Sequence, residues 1–180
     1  RIFLRSEDQE EESSSFVLNP NDAVTSDSGS RYELRGEIAR GGMGAIFKGR
    51  DNDLGRSIAI KVLLDRHKQK PSVLRRFIEE AQIGGQLQHP GIAPVYELGQ
   101  LEDKRPFFSM KLVKGQTLKA LLKKRKDPKE DRGKFLGIFE QMCQTVAYAH
   151  NRGVIHRDLK PDNIMVGAFG EVQVMDWGLA

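Results

Sequence analysis

From Tyr32 onward, apolar and polar positions alternate in short runs. This predicts strands over about 32–38, 44–50 and 56–64, separated by a Gly-rich turn and an Asp-Asn-Asp turn. The period then lengthens. Val73, Leu74, Phe77, Ile78, Ala81 and Leu87 fall on one helical stripe, and Pro71-Ser72 mark its start, so a helix is expected over about 72–88. Strands follow near 94–99 and 105–112. Thr117 suits the N-cap of a short basic helix. A longer helix is expected over about 132–151, with Phe135, Ile138, Phe139, Met142 and Val146 as its buried face and Gly153 just past its end. Short β segments near 154–155, 164–166 and 172–174 complete the pattern. Antiparallel strands with one helix, more strands and then helices read as an α+β protein: a small β-rich part followed by a helical one.

Before Tyr32 the pattern is lost. Residues 1–30 are rich in Ser, Glu and Asp, and two arginines face seven carboxylates, a net charge of −5. The expectation is a flexible acidic linker or tail. The whole chain carries +4, which leaves +9 on residues 31–180. Lys123, Lys124, Arg125 and Lys126 lie where a helix ends, a place the helix dipole favours for cations, so a nucleic-acid partner is not expected. With 180 residues, 38% hydrophobic and 30% charged, the chain suits one ordinary domain, and no apolar run in it is long enough to span a bilayer. A single cysteine, Cys143, excludes an internal disulfide and fits a reducing cytoplasm; an anchor elsewhere in a longer protein is compatible with this window. Four histidines show no metal-ligand spacing, and Asp51-Asn52-Asp53-Leu54-Gly55 lacks the ligand pattern of a calcium loop and reads as a hairpin turn.

Three stretches carry chemistry. In Ile38-Ala39-Arg40-Gly41-Gly42-Met43-Gly44-Ala45-Ile46, glycines would let backbone N–H groups approach phosphates, although a Gly-rich hairpin can be only a turn. In Ile58-Ala59-Ile60-Lys61, a lysine stands in an apolar strand. Either it snorkels to an edge or it grips phosphates and is held by a carboxylate. Glu79 and Glu80 are candidates, and the apolar neighbours Phe77 and Ala81 favour Glu80 as the one facing inward. In Val154-Ile155-His156-Arg157-Asp158-Leu159-Lys160-Pro161-Asp162-Asn163-Ile164-Met165-Val166, a charged cluster sits between apolar segments, and Asp176-Trp177-Gly178 follows. A carboxylate to receive a proton, oxygen ligands for magnesium and cations along phosphates are the parts phosphoryl transfer needs.

With these residues in view, the chain resembles the eukaryotic-type protein kinases, most closely the bacterial Ser/Thr kinases of that type. The pattern G-x-G-x-x-G-x-V is matched in part, V-A-I-K as IAIK, H-R-D-L-K-P-x-N in full and D-F-G as DWG, and the resemblance covers about 32–180. It implies a kinase fold with an N-lobe over about 32–112 and part of a C-lobe over about 113–180. It implies ATP and Mg2+ as cofactors and a protein Ser/Thr hydroxyl as acceptor. Gly41, Gly42 and Gly44, within the loop Ile38–Ile46, would cover the phosphates. Lys61 would contact the α- and β-phosphates, with Glu80 holding it. Asp158 would be the catalytic base and Lys160 would steady the γ-phosphate. Asn163 and Asp176 would hold magnesium. Ile46 and Ala59 would roof the adenine and Met165 would floor it. Met110 falls at the gatekeeper position, and Lys111 to Val113 would offer backbone groups to the base.

Two departures stand out. Ala39 replaces the first loop glycine, which would stiffen or slightly crowd the loop. Trp177 replaces the usual Phe, and Gly84 stands where a larger apolar side chain is common. The expectation is that the Trp ring fills the space above Gly84. The chain also ends at Ala180, directly after DWGL, which reads as a fragment that lacks the segment on which the family places its substrate. The alternative class is a non-catalytic nucleotide-binding module, a pseudokinase. Lys61, Glu80, Asp158, Asn163 and Asp176 together favour the enzyme.

Overall fold

The computed structural model describes residues 31–180; the acidic segment 1–30 lies outside the described residues. β1 (Tyr32–Arg40), β2 (Gly44–Asp51) and β3 (Arg56–Leu63) run antiparallel, and the Asp-Asn-Asp segment makes the β2–β3 turn with Gly55 at φ 63°. That turn is tied down by the buried Asp51. Its carboxylate accepts from Arg31 Nε at 3.2 Å, Arg56 Nε at 3.4 Å and Leu54 N at 3.4 Å. The Arg31 guanidinium holds the Asp51 carboxyl below its ordinary range, against the cost of desolvation.

A 3-10 turn over Asp65–His67 leads into α1 (Pro71–Gln86), followed by β4 (Val95–Gln100) and β5 (Pro106–Lys111). The five-stranded sheet has the order β1-β2-β3-β5-β4. By the twofold period of a strand, Ile58, Ile60 and Val62 of β3 share one face. They build a core with Ala45, Phe47, Leu64 and Phe107. Ala59 points the other way and packs with Ala39 and Ile46.

The remaining elements are β6 (Gln116–Thr117), α2 (Leu118–Lys124), α3 (Arg132–Asn151), β7 (Ile164–Val166) and β8 (Val172–Val174). Thr117 caps α2 as its sequence position predicts, its side chain accepting from Ala120 N at 3.1 Å. β6, β7 and β8 form a second sheet, and Val174 bridges in parallel to Ile92. Leu87, Ile92, Ile138, Ala149, Ile164, Val174 and Trp177 are among the buried residues of its core. Contacts divide the chain into two units. The described part of the first runs to Leu74 and resumes over Glu97–Leu112; the second comprises Arg75–Tyr96 and Val113–Ala180. Residues 75–96, within the expected N-lobe span, therefore group with residues 113–180.

Three expectations are corrected. Residues 154–155 form no strand, because the Val154 N–H closes the end of α3 onto Ala149 O at 2.9 Å while Gly153 turns through φ 75°. Phe139 does not belong to the buried face of α3. It is 57% exposed, and Thr145 and Ala149 are buried with Ile138 instead. The space beside Gly84 belongs to Val95, not Trp177: a Cβ at Gly84 would come within 2.7 Å of Val95 Cγ2 and meets no atom of Trp177 within 4 Å.

Candidate active site

In the first unit, the Gly-rich hairpin joins β1 to β2, with Gly41 N donating to Gly44 O at 2.9 Å across its tip. Ala39 lies within β1, opposite Ile46, and its φ is not positive. A methyl is therefore tolerated there, and it contributes to the apolar cluster with Ile46 and Ala59, against which Ile38 and Met110 pack. Met110 lies opposite Ala59 and Lys111 opposite Ile58 in the β3–β5 register. The parity of β3 puts Lys61 on the Ala59 face. Lys61 is only 4% exposed, with Nζ 5.7 Å from the centroid of the Phe108 ring. A lysine held this deep is not a snorkelling edge residue.

In the second unit, α1 distinguishes its two glutamates. Glu79 faces outward and accepts from Arg75 Nε at 2.7 Å, one helical turn back, whereas Glu80 is 8% exposed. Gly178 runs close to Glu80: a Cβ there would meet Glu80 Oε2 at 3.0 Å and Asp176 Oδ1 at 3.5 Å. Glycine in this place lets the two acidic residues and the chain share one corner. A cavity of about 240 Å³ lies beside them, lined in part by Arg76, Arg157 and Trp177. Arg76 was not singled out from the sequence. Its place one turn before Glu80 was the available signal.

The loop from His156 to Asn163 is fixed from both ends. His156 is buried. Its Nδ1 accepts from Asp158 N at 3.3 Å, so Nε2 carries the proton and donates to Met175 O at 2.9 Å. The Trp177 ring stacks on this imidazole and donates Nε1–H to Val174 O at 3.1 Å. Between these anchors, Arg157 and Asp176 both adopt left-handed backbone, φ 63° and 64°, a conformation that costs a non-Gly residue about 1–2 kcal/mol. The surrounding hydrogen bonds hold that strain in place.

Asp158 is enclosed by polar partners. Lys160 Nζ donates to Oδ2, and Asn163 Nδ2 donates to the Asp158 carbonyl at 2.9 Å and to Oδ2 at 3.3 Å. The Lys160 ammonium chiefly holds the Asp158 carboxyl below the usual carboxylate range, opposed by partial desolvation and helped by Asn163. Asn163, buried at the end of a 3-10 turn over Pro161–Asn163, commits its amide nitrogen to Asp158. That leaves its Oδ1 as a hard oxygen donor, and Met175 N bonds to Asn163 O at 2.7 Å just before Asp176. An amide oxygen and a carboxylate, with water and phosphate oxygens completing the shell, fit magnesium, which keeps several waters and takes few protein ligands. Lys119 of α2 secures the far side of the turn through Asp162 at 2.7 Å. Met165 is buried in β7, between Thr117 and Gln173. Among the described residues no group of three or more His, Cys, Asp or Glu is placed to hold a metal, and no helix is long and apolar enough to cross a membrane.

The family model described as protein kinase domain matches residues 32–180. The serine/threonine-protein kinase PknD of Chlamydia muridarum is 42% identical over 159 residues, covering 83% of this chain and 17% of that protein. PknD of Protochlamydia amoebophila is 41% identical over 160 residues, covering 83% and 16%. The chain thus spans about one sixth of the curated relatives it matches. A solved structure described as PpkA-294 apo form shares the fold at TM-score 0.73 and 24% identity, covering 83% of this chain and 59% of that one.

Proposed function

This chain belongs to the protein kinase family, and on that premise we propose that it carries the nucleotide-binding and catalytic-loop parts of a serine/threonine kinase. The reaction is transfer of the ATP γ-phosphate to a protein Ser or Thr hydroxyl. The observation that carries this reading is Asp158, a carboxylate kept ionised by Lys160 and Asn163 on a loop braced by His156. An ionised carboxylate can orient an attacking hydroxyl and accept its proton, and Lys160 brings a positive charge beside that point. A module that only bound nucleotide would have no use for such a base, so no observation favours the pseudokinase alternative.

The family generally uses ATP and magnesium, and the residues present suit both. Asn163 and Asp176 supply the oxygen ligands; bound there, magnesium would neutralise charge on the phosphates. In this reading Lys61 would meet the α- and β-phosphates, and Glu80 would serve as its carboxylate. Gly41, Gly42 and Gly44, flanked by Arg40, Met43 and Ala45, would cover the phosphates. Ile38, Ala39, Ile46, Ala59 and Met165 would enclose the adenine, while Met110 and the backbone of Lys111 to Val113 would border it. A cytoplasmic location goes with this reading, since a free cysteine, ATP and magnesium coexist there.

The test is Asp158→Asn in the full-length protein. Phosphoryl transfer to a Ser peptide is expected to fall at least a hundredfold, with ATP affinity within a few-fold of wild type. Near wild-type transfer would remove the base assignment.

A further inference from the structure

The tip of the Gly-rich hairpin is held from outside by residues that no kinase motif in this chain includes. The 3-10 turn at Asp65–His67 sends two side chains to one backbone oxygen. Arg66 Nη2 donates to Gly42 O at 3.1 Å, and His67 Nε2 lies 2.8 Å from the same oxygen. A carbonyl only accepts, so the His67 tautomer protonated at Nε2 makes this bond. Arg66 Nε also lies 3.3 Å from Nε2; the shorter contact to the carbonyl decides the tautomer. His67 Nδ1 is buried with no hydrogen-bond partner, so the ring's orientation is set at its other nitrogen. One residue earlier, Leu64 N donates to Met43 O at 3.0 Å. No side chain packs beside Gly42, since a Cβ there would meet nothing within 4 Å.

The consequence follows from peptide geometry. No peptide bond in the described residues is cis. In a trans peptide the carbonyl of one residue and the N–H of the next point in opposite directions. With the Gly42 and Met43 carbonyls both drawn to the segment 64–67, the N–H groups of Met43 and Gly44 point away from it. Two successive amides facing one way make an anion-binding concavity. We propose that Arg66 and His67 are positioning residues for the nucleotide: by holding the Gly42 carbonyl they aim the Met43 and Gly44 amides at the terminal phosphates of ATP. Neither side chain touches the phosphates in this arrangement. They act through the backbone.

The proposal rests on the reading of this hairpin as the phosphate-covering loop, and the experiment separates the two. Binding of MgATP and of adenosine is measured for the full-length protein, for Arg66→Ala/His67→Ala, and for His67→Ala and His67→Gln alone. Adenosine has no phosphates and reports the base pocket only. The double variant is expected to bind MgATP about tenfold more weakly, with adenosine affinity within about twofold of wild type. Gln carries an amide N–H near the place of His Nε2, so His67→Gln is expected to stay close to wild type where His67→Ala does not. Arg66 is exposed and His67 half-buried, so their loss should leave the fold intact. Should the double variant fail to fold, the His67 pair carries the same comparison. MgATP affinity unchanged on losing these side chains, or equal losses for both ligands, overturns the proposal while the kinase reading stands. A wild-type protein that binds neither ligand overturns both.

Discussion

The Trp177 ring lies against the His156 imidazole, centroids 4.6 Å apart and planes inclined by 55°. The same indole donates to Val174 O, and the imidazole Nε2–H donates to Met175 O. The ring pair therefore ties the catalytic loop to the end of β8 by stacking and by two hydrogen bonds to consecutive carbonyls. A phenylalanine could keep the stack but not the indole bond. Trp177→Phe is expected to cost about 1–3 kcal/mol through the lost donor and the unfilled volume. Thermal unfolding of the kinase domain measures it; a midpoint equal to wild type would show that the indole bond contributes nothing.

Gly84 and Val95 form a coupled pair. A Cβ on Gly84 would overlap Val95 Cγ2 at 2.7 Å. Gly84→Leu is expected to overpack this point and cost about 1–3 kcal/mol, with part of the loss recovered when Val95→Ala is added. A cycle of Gly84→Leu with Trp177→Phe is expected to show no such recovery. Coupling to Trp177 and none to Val95 would reverse the assignment.

The Asp158 carboxyl is held below its ordinary range, first by the hydrogen bond from Lys160. A group whose folded pKa is depressed adds stability above its unfolded value, about 3.9, and loses it as pH falls through the lower folded value. This contribution is therefore complete at neutral pH and disappears only in acid. Lys160→Ala is expected to raise the Asp158 pKa toward the ordinary carboxylate range. Carboxyl NMR titration reads it directly, and an unmoved value would mean that Lys160 is not the cause.

Residues 1–180 expressed alone present Leu136, 58% exposed, and Phe139, 57% exposed, on α3. They lie three positions apart and so share a helix face. The chain by itself is expected to self-associate through this face. Leu136→Lys with Phe139→Lys is expected to shift it toward monomer. Light scattering checks this; a monodisperse wild-type chain would contradict the expectation.

Local physics was legible along the chain. Short apolar runs between turn residues marked the strands of the Gly-rich hairpin and the lysine strand, Thr117 announced its cap, and the neighbours of Glu80 favoured it over Glu79. In each case the signal is carried by residues adjacent in sequence, and the structure agrees: Glu79 is spent on Arg75 while Glu80 is buried. The spacing of Asp158, Lys160 and Asn163 likewise fits one short loop, because a 3-10 turn opened by a proline brings them together locally.

Other features depend on what another element brings near, and periodicity does not encode that. On α3, Ile138 is buried and Phe135 and Met142 pack on the core as the stripe predicts, but Phe139 lies off that face, which continues instead through Thr145 and Ala149. The strand expected at 154–155 gave way because the last turn of α3 took the Val154 N–H. The two-residue β6 exists only because β7 lies beside it. Gly84 was matched to Trp177 by the family resemblance and by volume, whereas distance assigned it to Val95. Arg66 and His67, ordinary polar residues after a strand, gained a role only when the chain brought the Gly42 carbonyl to them, 24 and 25 positions earlier in sequence. Sequence fixed which groups could do chemistry, since charge and hydrogen-bonding capacity belong to the residue. Tertiary structure decided which of them meet, since that depends on how distant segments pack.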